Sequence, residues 1–342
     1  MRVLFAVRYH LAWPNGAQAT THCLALGLAR RGHQAAVLAF DGLPAGAALR
    51  VDHSPGYPVF AAPRADLALG PVAASFGADA VVVAAYHRER SDWTQSVLER
   101  AAPLPALLYV HDVGGVELAA ATGPALGGVA AVSDFVAGEI RSCGGEAVTV
   151  PPIVPRARYR VDSSRRVALF VNPIPQKGLD TVLALAGARP DVSFAFSRCW
   201  PIDGAALREL HDAARRLGNV QVRPSTGDAA ELYGDARVVL VPSTYPEAWG
   251  RVAGEAQASG IPVIASALGG LPEAVGDGGV LVDPGAGLDG WLQALAHLWD
   301  DAAAYARHAS RAELNGRRAD ATAAAAAERF EALLRRSAPV AT

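Results

Sequence analysis

The sequence predicts an α/β protein with two doubly wound domains, each built on a mainly parallel sheet. A chain of 342 residues is long for one hydrophobic core and sufficient for two. Short, continuously apolar segments alternate with helical patterns in both halves, which is typical of strands buried on both faces. A Pro- and Arg-rich passage at residues 151–166 separates the halves. We therefore expect two domains joined by a linker.

The N-terminal domain is expected at residues 1–155. Its predicted strands are residues 3–8, 35–40, 80–85, 106–111, 128–133 and 147–150. Its predicted helices include residues 17–30 and 93–100. Because helices separate the strands, the connections favour a parallel sheet covered on both faces.

The C-terminal half repeats this scheme after a linker at 156–166, in a domain expected at 167–318. Its predicted strands are residues 167–171, 193–196, 220–223, 237–241, 262–265 and 280–282. Its predicted helices are residues 179–187, 205–217, 229–233 and 251–259, with two or three more in the Ala-rich tail at 288–336. The last helix, within 319–342, is expected to pack back on the N-terminal domain. The strand ends of the two domains are expected to face each other across a cleft.

Composition excludes several classes of function. A net charge of -2 provides no basic field for nucleic acid, and no apolar run approaches a membrane span, so neither partner is expected. The first nine residues fit a strand better than a signal peptide. Three scattered cysteines (Cys23, Cys143, Cys199) indicate reduced thiols in the cytoplasm. No Gly-x-Gly-x-x-Gly follows the first strand and no P-loop is present, which disfavours nicotinamide and ATPase chemistry.

Two glutamates, Glu247 and Glu255, lie eight positions apart across a loop-to-helix junction. Pro246 and Gly250 disfavour regular helix, so the helix is expected to begin near Trp249 or Gly250. A helix N-terminus favours an anion, and carboxylates accept hydrogen bonds from vicinal hydroxyls. A hexose, a diphosphate and a ribose would suit this arrangement. The alternative is that Glu247 only stabilises the helix dipole while Glu255 faces solvent.

Lys177 is the only lysine among 31 basic residues. It lies in the segment FVNPIPQKGLD, at a strand end just before a helix. A compact ammonium fits a diphosphate as a point charge, where a planar guanidinium would not. Lys177 is therefore a second candidate for phosphate binding, and chance retention of one lysine is the alternative.

The segment at 242–273, PSTYPEAWGRVAGEAQASGIPVIASALGGLPE, resembles the Glu-x7-Glu signature of retaining glycosyltransferases of the GT-B fold, especially glycosyltransferase family 4. Its Pro-Ser, Trp-Gly, Gly-Ile-Pro-Val and Gly-Gly-x-Pro-Glu elements occur in the family's order. The resemblance covers most of the chain and is more specific in the C-terminal half. It implies two Rossmann-like domains, with the acceptor bound by the N-terminal one and the nucleotide-sugar donor by the C-terminal one.

The resemblance also implies roles for individual residues. Glu247 would position the hexose, so its replacement by alanine should lower turnover by orders of magnitude, whereas Glu255→Ala should mainly weaken nucleotide binding. Lys177 with Gly178 would bind the phosphates. His111, at a strand end in YVHDVGG, would approach the transferred sugar's hydroxyls. The catalytic residues are thus expected to be Glu247, His111 and Lys177.

Two positions depart from the family pattern. An arginine normally lies five residues before the lysine, where this chain has Asn172. Because two cations normally stabilise the leaving diphosphate, Arg198 or Arg251 is expected to supply the missing charge. In the first Gly-rich loop Gly16 would approach the donor phosphates or the acceptor, while the family's other glycine is Asn15 here. An ordinary helix entry would explain this loop equally well.

Backbone groups at 222–224 are expected to contact the nucleobase, whose identity is not legible, and Asp228 to cap the following helix. Residues expected to bind the donor are Gly16, Asn172, Lys177, Gly178, Arg198, Arg223, Glu247, Ala248, Trp249, Gly250, Arg251, Val252 and Glu255.

The absence of an Asp-x-Asp triplet and of any metal-ligand cluster predicts a metal-independent reaction. The resemblance implies transfer with retention, by front-face substitution, from a nucleoside-diphosphate sugar (a UDP-sugar is assumed) to a small-molecule or glycan acceptor, in specialised-metabolite or glycoconjugate biosynthesis. The alternatives are a nucleotide-sugar epimerase, a sugar phosphorylase, or a catalytically silent nucleotide-sugar-binding subunit.

Overall fold

The structure is a computed structural model that describes residues 1–8, 16–39, 47–85, 91–318 and 322–337. The chain forms two compact units. The first comprises Met1–Ile153 and Ala319–Thr342, and the second comprises Val154–Arg318. No helix in the described ranges is both long and apolar enough to cross a bilayer.

The first unit is built on an eight-stranded sheet in the order β3-β4-β2-β1-β5-β6-β7-β8. Its strands are β1 (Arg2–Val7), β2 (Gln34–Ala39), β3 (Arg50–Asp52), β4 (Val59–Ala61), β5 (Ala80–Ala85), β6 (Ala106–Val110), β7 (Gly128–Ala131) and β8 (Val148–Thr149). All neighbouring strands pair in parallel except β3 and β4.

Six of the described helices belong to the first unit: α1 (Gly16–Arg30), α2 (Ala65–Phe76), α3 (Ser91–Ala101), α4 (Val116–Thr122), α5 (Asp134–Ser142) and α14 (Ala323–Ser337). The last of these packs against α1. Gly27 permits the close approach, because a Cβ there would lie 2.8 Å from Ala323 O. The Phe330 ring contacts Tyr109 of β6 edge-on, with 5.0 Å between ring centroids. The C-terminal helix therefore completes the N-terminal unit.

The second unit is built on a six-stranded sheet, parallel throughout, in the order β11-β10-β9-β12-β13-β14. The strands are β9 (Val167–Val171), β10 (Phe194–Arg198), β11 (Val220–Ser225), β12 (Ala236–Val241), β13 (Val263–Ser266) and β14 (Gly279–Val282). The described helices are α6 (Arg156–Tyr159), α7 (Leu179–Ala188), α8 (Gly204–Leu217), α9 (Ala229–Tyr233), α10 (Arg251–Gln257), α11 (Leu271–Val275), α12 (Gly287–Trp299) and α13 (Ala302–Asn315). This strand order is that of a Rossmann fold.

The residues expected to form a linker, 156–166, belong to the second unit. They begin with the single turn of α6, and their backbone then bonds to the unit. Val161 N donates to Ser259 Oγ at 2.8 Å, and Ser164 N donates to Gly234 O at 2.9 Å. The Pro- and Arg-rich composition gives no sign of this pairing, because the partner groups are distant in sequence.

Candidate functional site

The candidate site lies at the carboxyl end of the second sheet, where the strand order reverses. β9 has β10 on one side and β12 on the other, so the connections after β9 and β12 leave in opposite directions. Such a topological switch point opens a crevice in which Rossmann folds bind ligands. Lys177 follows β9 and Glu247 follows β12. The fold therefore brings the two strongest sequence candidates to one place.

Lys177 and Glu247 form an ion pair, with 2.9 Å between Nζ and Oε1. Their side chains are only 14% and 11% exposed. Ser243 Oγ donates a hydrogen bond to the same carboxylate oxygen. The Ser243 carbonyl in turn accepts a bond from Ser266 Oγ at 2.9 Å. Glu247 is thus fixed in a partly dry site and is not a solvated residue that only stabilises a helix dipole.

Two aromatic rings flank the Lys177 ammonium. Its Nζ lies 5.3 Å from the Trp200 ring centroid and 5.1 Å from that of Tyr245. Burial alone would lower the pKa of Lys177, but the Glu247 carboxylate and Tyr245 raise it, and the net direction is upward. The ammonium therefore stays charged at neutral pH, as an anion-binding group requires.

The loops carrying Lys177 and Glu247 interlock through their backbones. Gly178 has a φ of 86°, and a Cβ there would collide with Pro242 O. Thr244 N donates to Gln176 O at 3.1 Å. Glycine is therefore required after Lys177, because any side chain at Gly178 would keep the β9 loop from lying against the β12 loop.

The Gly-Gly-x-Pro-Glu segment supports Glu247 from the other side. Gly269 has a φ of 62°, and a Cβ there would collide with the Glu247 backbone. Gly270 N donates to Glu247 O at 2.7 Å. Gly250, with a φ of 102°, is the N-cap of α10, which begins at Arg251, close to the predicted start.

Glu255 lies in a buried network and does not face solvent, because its side chain is only 13% exposed. Tyr233 Oη donates to Glu255 Oε2 at 2.8 Å, and Arg251 Nε donates to Oε1 at 3.2 Å. Arg251 also donates to Tyr159 Oη at 3.3 Å. Burial and the Glu255 charge raise the pKa of Tyr233, which therefore remains a neutral phenol that donates its proton.

Asn172 adopts a left-handed backbone conformation, with a φ of 58°, and is buried. Its Oδ1 accepts two hydrogen bonds, from Cys199 N at 2.7 Å and from Trp200 N at 3.0 Å. The side chain at the position of the family's arginine therefore connects the end of β9 to the loop after β10.

The remaining arginines differ in how far they are already engaged. Arg223 forms a bidentate ion pair with Asp235, at 2.9 and 2.6 Å. Its guanidinium therefore has a structural partner. Arg198 ends β10, and its Nε donates to Arg223 O at 3.3 Å. It forms no ion pair with any residue in the described ranges. Arg251, by contrast, forms an ion pair with Glu255.

Other predicted donor residues lie at the start of α10. Trp249 is 6% exposed, and the Arg318 guanidinium lies 5.5 Å from its ring centroid, so the indole is a packing group. Ala248 precedes it in the loop, and Val252 is half-buried in the first turn of α10. Asp228 accepts hydrogen bonds from Ala230 N and Glu231 N, which confirms the predicted helix cap.

His111, Asp112 and Gly16 belong to the first unit. The His111 ring contacts that of Tyr109, with 4.1 Å between centroids, and its backbone N donates to Ala85 O at 3.0 Å. Asp112 Oδ1 accepts a bond from Gly114 N at 2.9 Å and so anchors the turn that follows β6. Gly16 is the first residue of α1, while Asn15 lies outside the described residues.

Sequence reasoning missed five side chains of the site, namely Tyr159, Trp200, Tyr233, Ser243 and Tyr245. Ser243 stands in the Pro-Ser element, which was the one available signal. Tyr245 stands in the same loop, two residues before Glu247. Tyr159, Trp200 and Tyr233 reach the site from other elements, so local sequence gave no indication of those three. The described residues contain no group of three His, Cys, Asp or Glu side chains arranged for a metal ion.

Comparison with known proteins finds a family match over part of the chain. Residues 165–301 match the family described as Glycosyl transferases group 1. A curated relative, D-inositol 3-phosphate glycosyltransferase of Corynebacterium aurimucosum, is 48% identical over 161 residues, which is 43% of this chain and 38% of the relative. The corresponding protein of Mycobacterium tuberculosis is 40% identical over 152 residues, 42% of this chain and 31% of its own length. The match thus spans less than two fifths of these curated relatives.

Solved structures extend the likeness to nearly the whole chain. HepE of Anabaena, in complex with UDP and glucose, gives a TM-score of 0.77 at 20% identity, covering 98% of this chain and 99% of HepE. Sucrose-phosphate synthase of Thermosynechococcus elongatus gives 0.79 at 19% identity, covering 98% of each chain. The protein therefore has the GT-B fold of these structures, and the segment that matches Glycosyl transferases group 1 forms most of its second unit.

Proposed function

We propose that this protein transfers a sugar from a nucleoside-diphosphate sugar to an acceptor hydroxyl. The observation that carries the proposal is the 2.9 Å ion pair between Lys177 and Glu247 at the switch point of the second sheet. One partner suits a phosphate and the other suits sugar hydroxyls. The relatives named glycosyltransferases support this activity, and HepE, solved with UDP-glucose, favours a UDP-sugar donor.

Lys177 would stabilise the leaving group. As the bond between the sugar and the diphosphate breaks, negative charge develops on the diphosphate oxygen. A charged ammonium that is already desolvated stabilises this charge with little reorganisation. Arg198 would supply a second charge from the end of β10, in place of the arginine that Asn172 replaces. The proposal therefore needs no metal ion for charge neutralisation.

Glu247 would orient the hexose. Lys177 and Ser243 both contact its Oε1, so Oε2 would accept the bond from a sugar hydroxyl. Glu255 would accept the ribose hydroxyls while Tyr233 holds its carboxylate. The backbone at 222–224 would contact the base, which agrees with the commitment of the Arg223 guanidinium to Asp235.

We further propose that transfer retains the configuration of the anomeric carbon. The acceptor hydroxyl attacks on the face that the diphosphate leaves, and the departing diphosphate oxygen takes the hydroxyl proton. Glu247 then positions the sugar without forming a covalent bond to it. His111 would contact the sugar hydroxyls and Gly16 the phosphates or the acceptor. A cytoplasmic location accords with the three free cysteines, Cys23, Cys143 and Cys199.

Binding and turnover test the proposal in sequence. Calorimetry with UDP, ADP and GDP is expected to show binding of at least one without added metal, and that binding should weaken in Lys177→Ala. The matching sugar nucleotide, with an acceptor panel that includes D-inositol 3-phosphate, should then give a product whose anomeric configuration NMR identifies.

Other outcomes would identify other functions. Turnover that needs inorganic phosphate and no nucleotide would indicate a phosphorylase. Inversion of a stereocentre in the sugar of the sugar nucleotide, without an acceptor, would indicate an epimerase. Binding without turnover across the panel would indicate a silent subunit. Absence of heat with every nucleotide would overturn the proposal.

A further inference from the structure

Trp200 is an exposed aromatic residue beside Lys177, the candidate phosphate-binding residue. It follows β10, and 39% of its surface is accessible, whereas Trp249 in the same unit is 6% exposed. The Lys177 Nζ lies 5.3 Å from the Trp200 ring centroid. An indole that lies against an ammonium and still has 39% of its surface accessible is suited to contact a flat group attached to a phosphate at that ammonium.

Asn172 determines where this indole lies. Its Oδ1 accepts hydrogen bonds from two consecutive backbone amides, those of Cys199 and Trp200, at 2.7 and 3.0 Å. The Asn172 backbone has a φ of 58°, which asparagine tolerates better than most residues. These bonds fix the direction of the chain as it leaves β10. Trp200 is therefore held by a residue of the neighbouring strand end.

The strand order places Trp200 on the nucleoside side of the site. From β12 through β9 to β10, the strand ends lead successively to Glu247, Lys177 and Trp200. A donor with its hexose at Glu247 and its diphosphate at Lys177 would extend its nucleoside toward Trp200. The adjacent Cys199 Sγ lies 3.8 Å from Thr226 O, just beyond β11, where the base is expected.

We propose that the donor's nucleobase stacks on Trp200, and that Asn172 is a positioning residue that holds Trp200 in place. This inference rests on the proposed function, since it assigns the base of the same donor. Every base has an aromatic face, so stacking adds affinity without selecting a particular base. Asn172 thus supports the nucleoside rather than replacing the family's cation.

Calorimetry on Trp200 variants tests the stacking step. Trp200→Ala is expected to weaken binding of UDP, ADP and GDP by about tenfold, the range of one base–aromatic contact. Trp200→Phe, which keeps an aromatic face, should restore most of this affinity, and Trp200→Leu, which keeps apolar area alone, should not. Binding of UDP should quench tryptophan emission in the wild type more than in Trp200→Phe.

Inorganic pyrophosphate is the matched control, because it carries the diphosphate but no base. Its affinity should be the same in the wild type and in Trp200→Ala. Equal losses for pyrophosphate and UDP would show that Trp200 acts only through Lys177, and would overturn the inference. A loss seen with a UDP-sugar but not with UDP would show that the sugar contacts Trp200, which also overturns it.

A double-mutant cycle tests the role of Asn172. Asn172→Gly keeps the left-handed backbone but removes the acceptor oxygen. As a single substitution it is expected to weaken UDP binding. In the double variant with Trp200→Ala it is expected to cause little further loss of affinity, because both changes remove the same stacking contact. Additive losses would show that Asn172 contacts the donor itself. Wild-type protein that binds no nucleotide would reject the proposed function, whereas normal UDP binding by Trp200→Ala would reject this inference alone.

Discussion

Lys177 Nζ and Glu247 Oε1 lie 2.9 Å apart on the loops that follow the neighbouring strands β9 and β12. Each side chain neutralises the charge of the other. In a site this little exposed, an unpaired charge on either residue would be costly. In the proposed reaction, a diphosphate bound at Lys177 would place its sugar beside a carboxylate that the ion pair already holds in place. The pairing holds each side chain in a fixed position relative to the other.

Replacing Glu247 should stop transfer while sparing nucleotide binding. In Glu247→Gln the side chain keeps its shape but loses the charge that orients the hexose and compensates Lys177. We expect turnover to fall by roughly 100-fold or more, and the Kd of the nucleoside diphosphate to change much less. Steady-state kinetics with the sugar nucleotide and calorimetry with the diphosphate give the two quantities. Glu209→Gln, an exposed glutamate of α8, is the control. Normal turnover in Glu247→Gln would contradict the role given to this carboxylate.

For Glu255 the opposite is expected, namely a loss of nucleotide binding with little change in turnover. Glu255→Gln should weaken nucleotide binding, since it removes an anionic acceptor for ribose hydroxyls, and should change turnover at saturating donor far less. Tyr233→Phe removes only the 2.8 Å bond to Glu255 Oε2, so a smaller loss of affinity is expected. Calorimetry with a nucleoside diphosphate measures both. A Tyr233→Phe variant with a larger loss than Glu255→Gln would show that the network supports the fold rather than the ribose.

Much of the second unit follows from its sequence, because its signals are local. The strand at Val167–Val171 and the helix at Ala229–Tyr233 have the bounds that apolar periodicity predicts. The first unit was harder to predict. Strands Arg50–Asp52 and Val59–Ala61 were missed, because three-residue edge strands carry too little periodicity. The helix Ala65–Phe76 was also missed, because it contains Pro71. Composition could not show that residues 156–166 bond to the second unit.

The candidate site divides in the same way. The sequence singled out Lys177 as a candidate because it is the only lysine, and Glu247 and Glu255 because of their spacing across a loop-to-helix junction. It could not show that Arg223 is committed to Asp235, since that pair joins β11 to the loop before β12. The Trp200 contact with Lys177 likewise depends on the alignment of β9 and β10.

Arg198 is expected to carry the charge that Asn172 lacks. Arg198→Ala should raise the KM for the sugar nucleotide by roughly tenfold or more, because a cation near the diphosphate is lost. Kinetics over a range of donor concentrations measures this, and Arg216→Ala, an exposed arginine of α8, is the control. The effect should shrink as salt concentration rises, because ions screen the attraction. Unchanged kinetics in Arg198→Ala would reject Arg198 as the second cation, and unchanged kinetics in Arg251→Ala as well would leave Lys177 as the sole cation in the proposed reaction.

Gly178 should not tolerate a side chain. Its φ of 86° is strained for alanine, and the added Cβ would collide with Pro242 O, so the loops carrying Lys177 and Glu247 would separate. We expect Gly178→Ala to lower the free energy of unfolding by more than about 1 kcal/mol and to weaken nucleotide binding. Gly187 of α7 is the matched control, since a Cβ there makes an ordinary 3.5 Å contact with Leu217. Urea denaturation distinguishes the two. Equal stability of both variants would contradict the proposed loop contact.

The C-terminal helix should loosen from the first unit in acid. Arg335 and Arg31 hydrogen-bond Glu331 and lower its pKa from 4.5 to about 2. A carboxyl group whose pKa is lower in the folded protein than in the unfolded chain adds stability above about pH 4.5. This contribution is lost as pH falls from about 4.5 to about 2. The stability difference between wild type and Glu331→Gln should therefore be constant near neutral pH and narrow across that window. Urea denaturation at several pH values measures the difference, with Glu328→Gln, an exposed neighbour on α14, as the control. A difference that stayed constant down to pH 2 would mean that the charge of Glu331 does not hold α14.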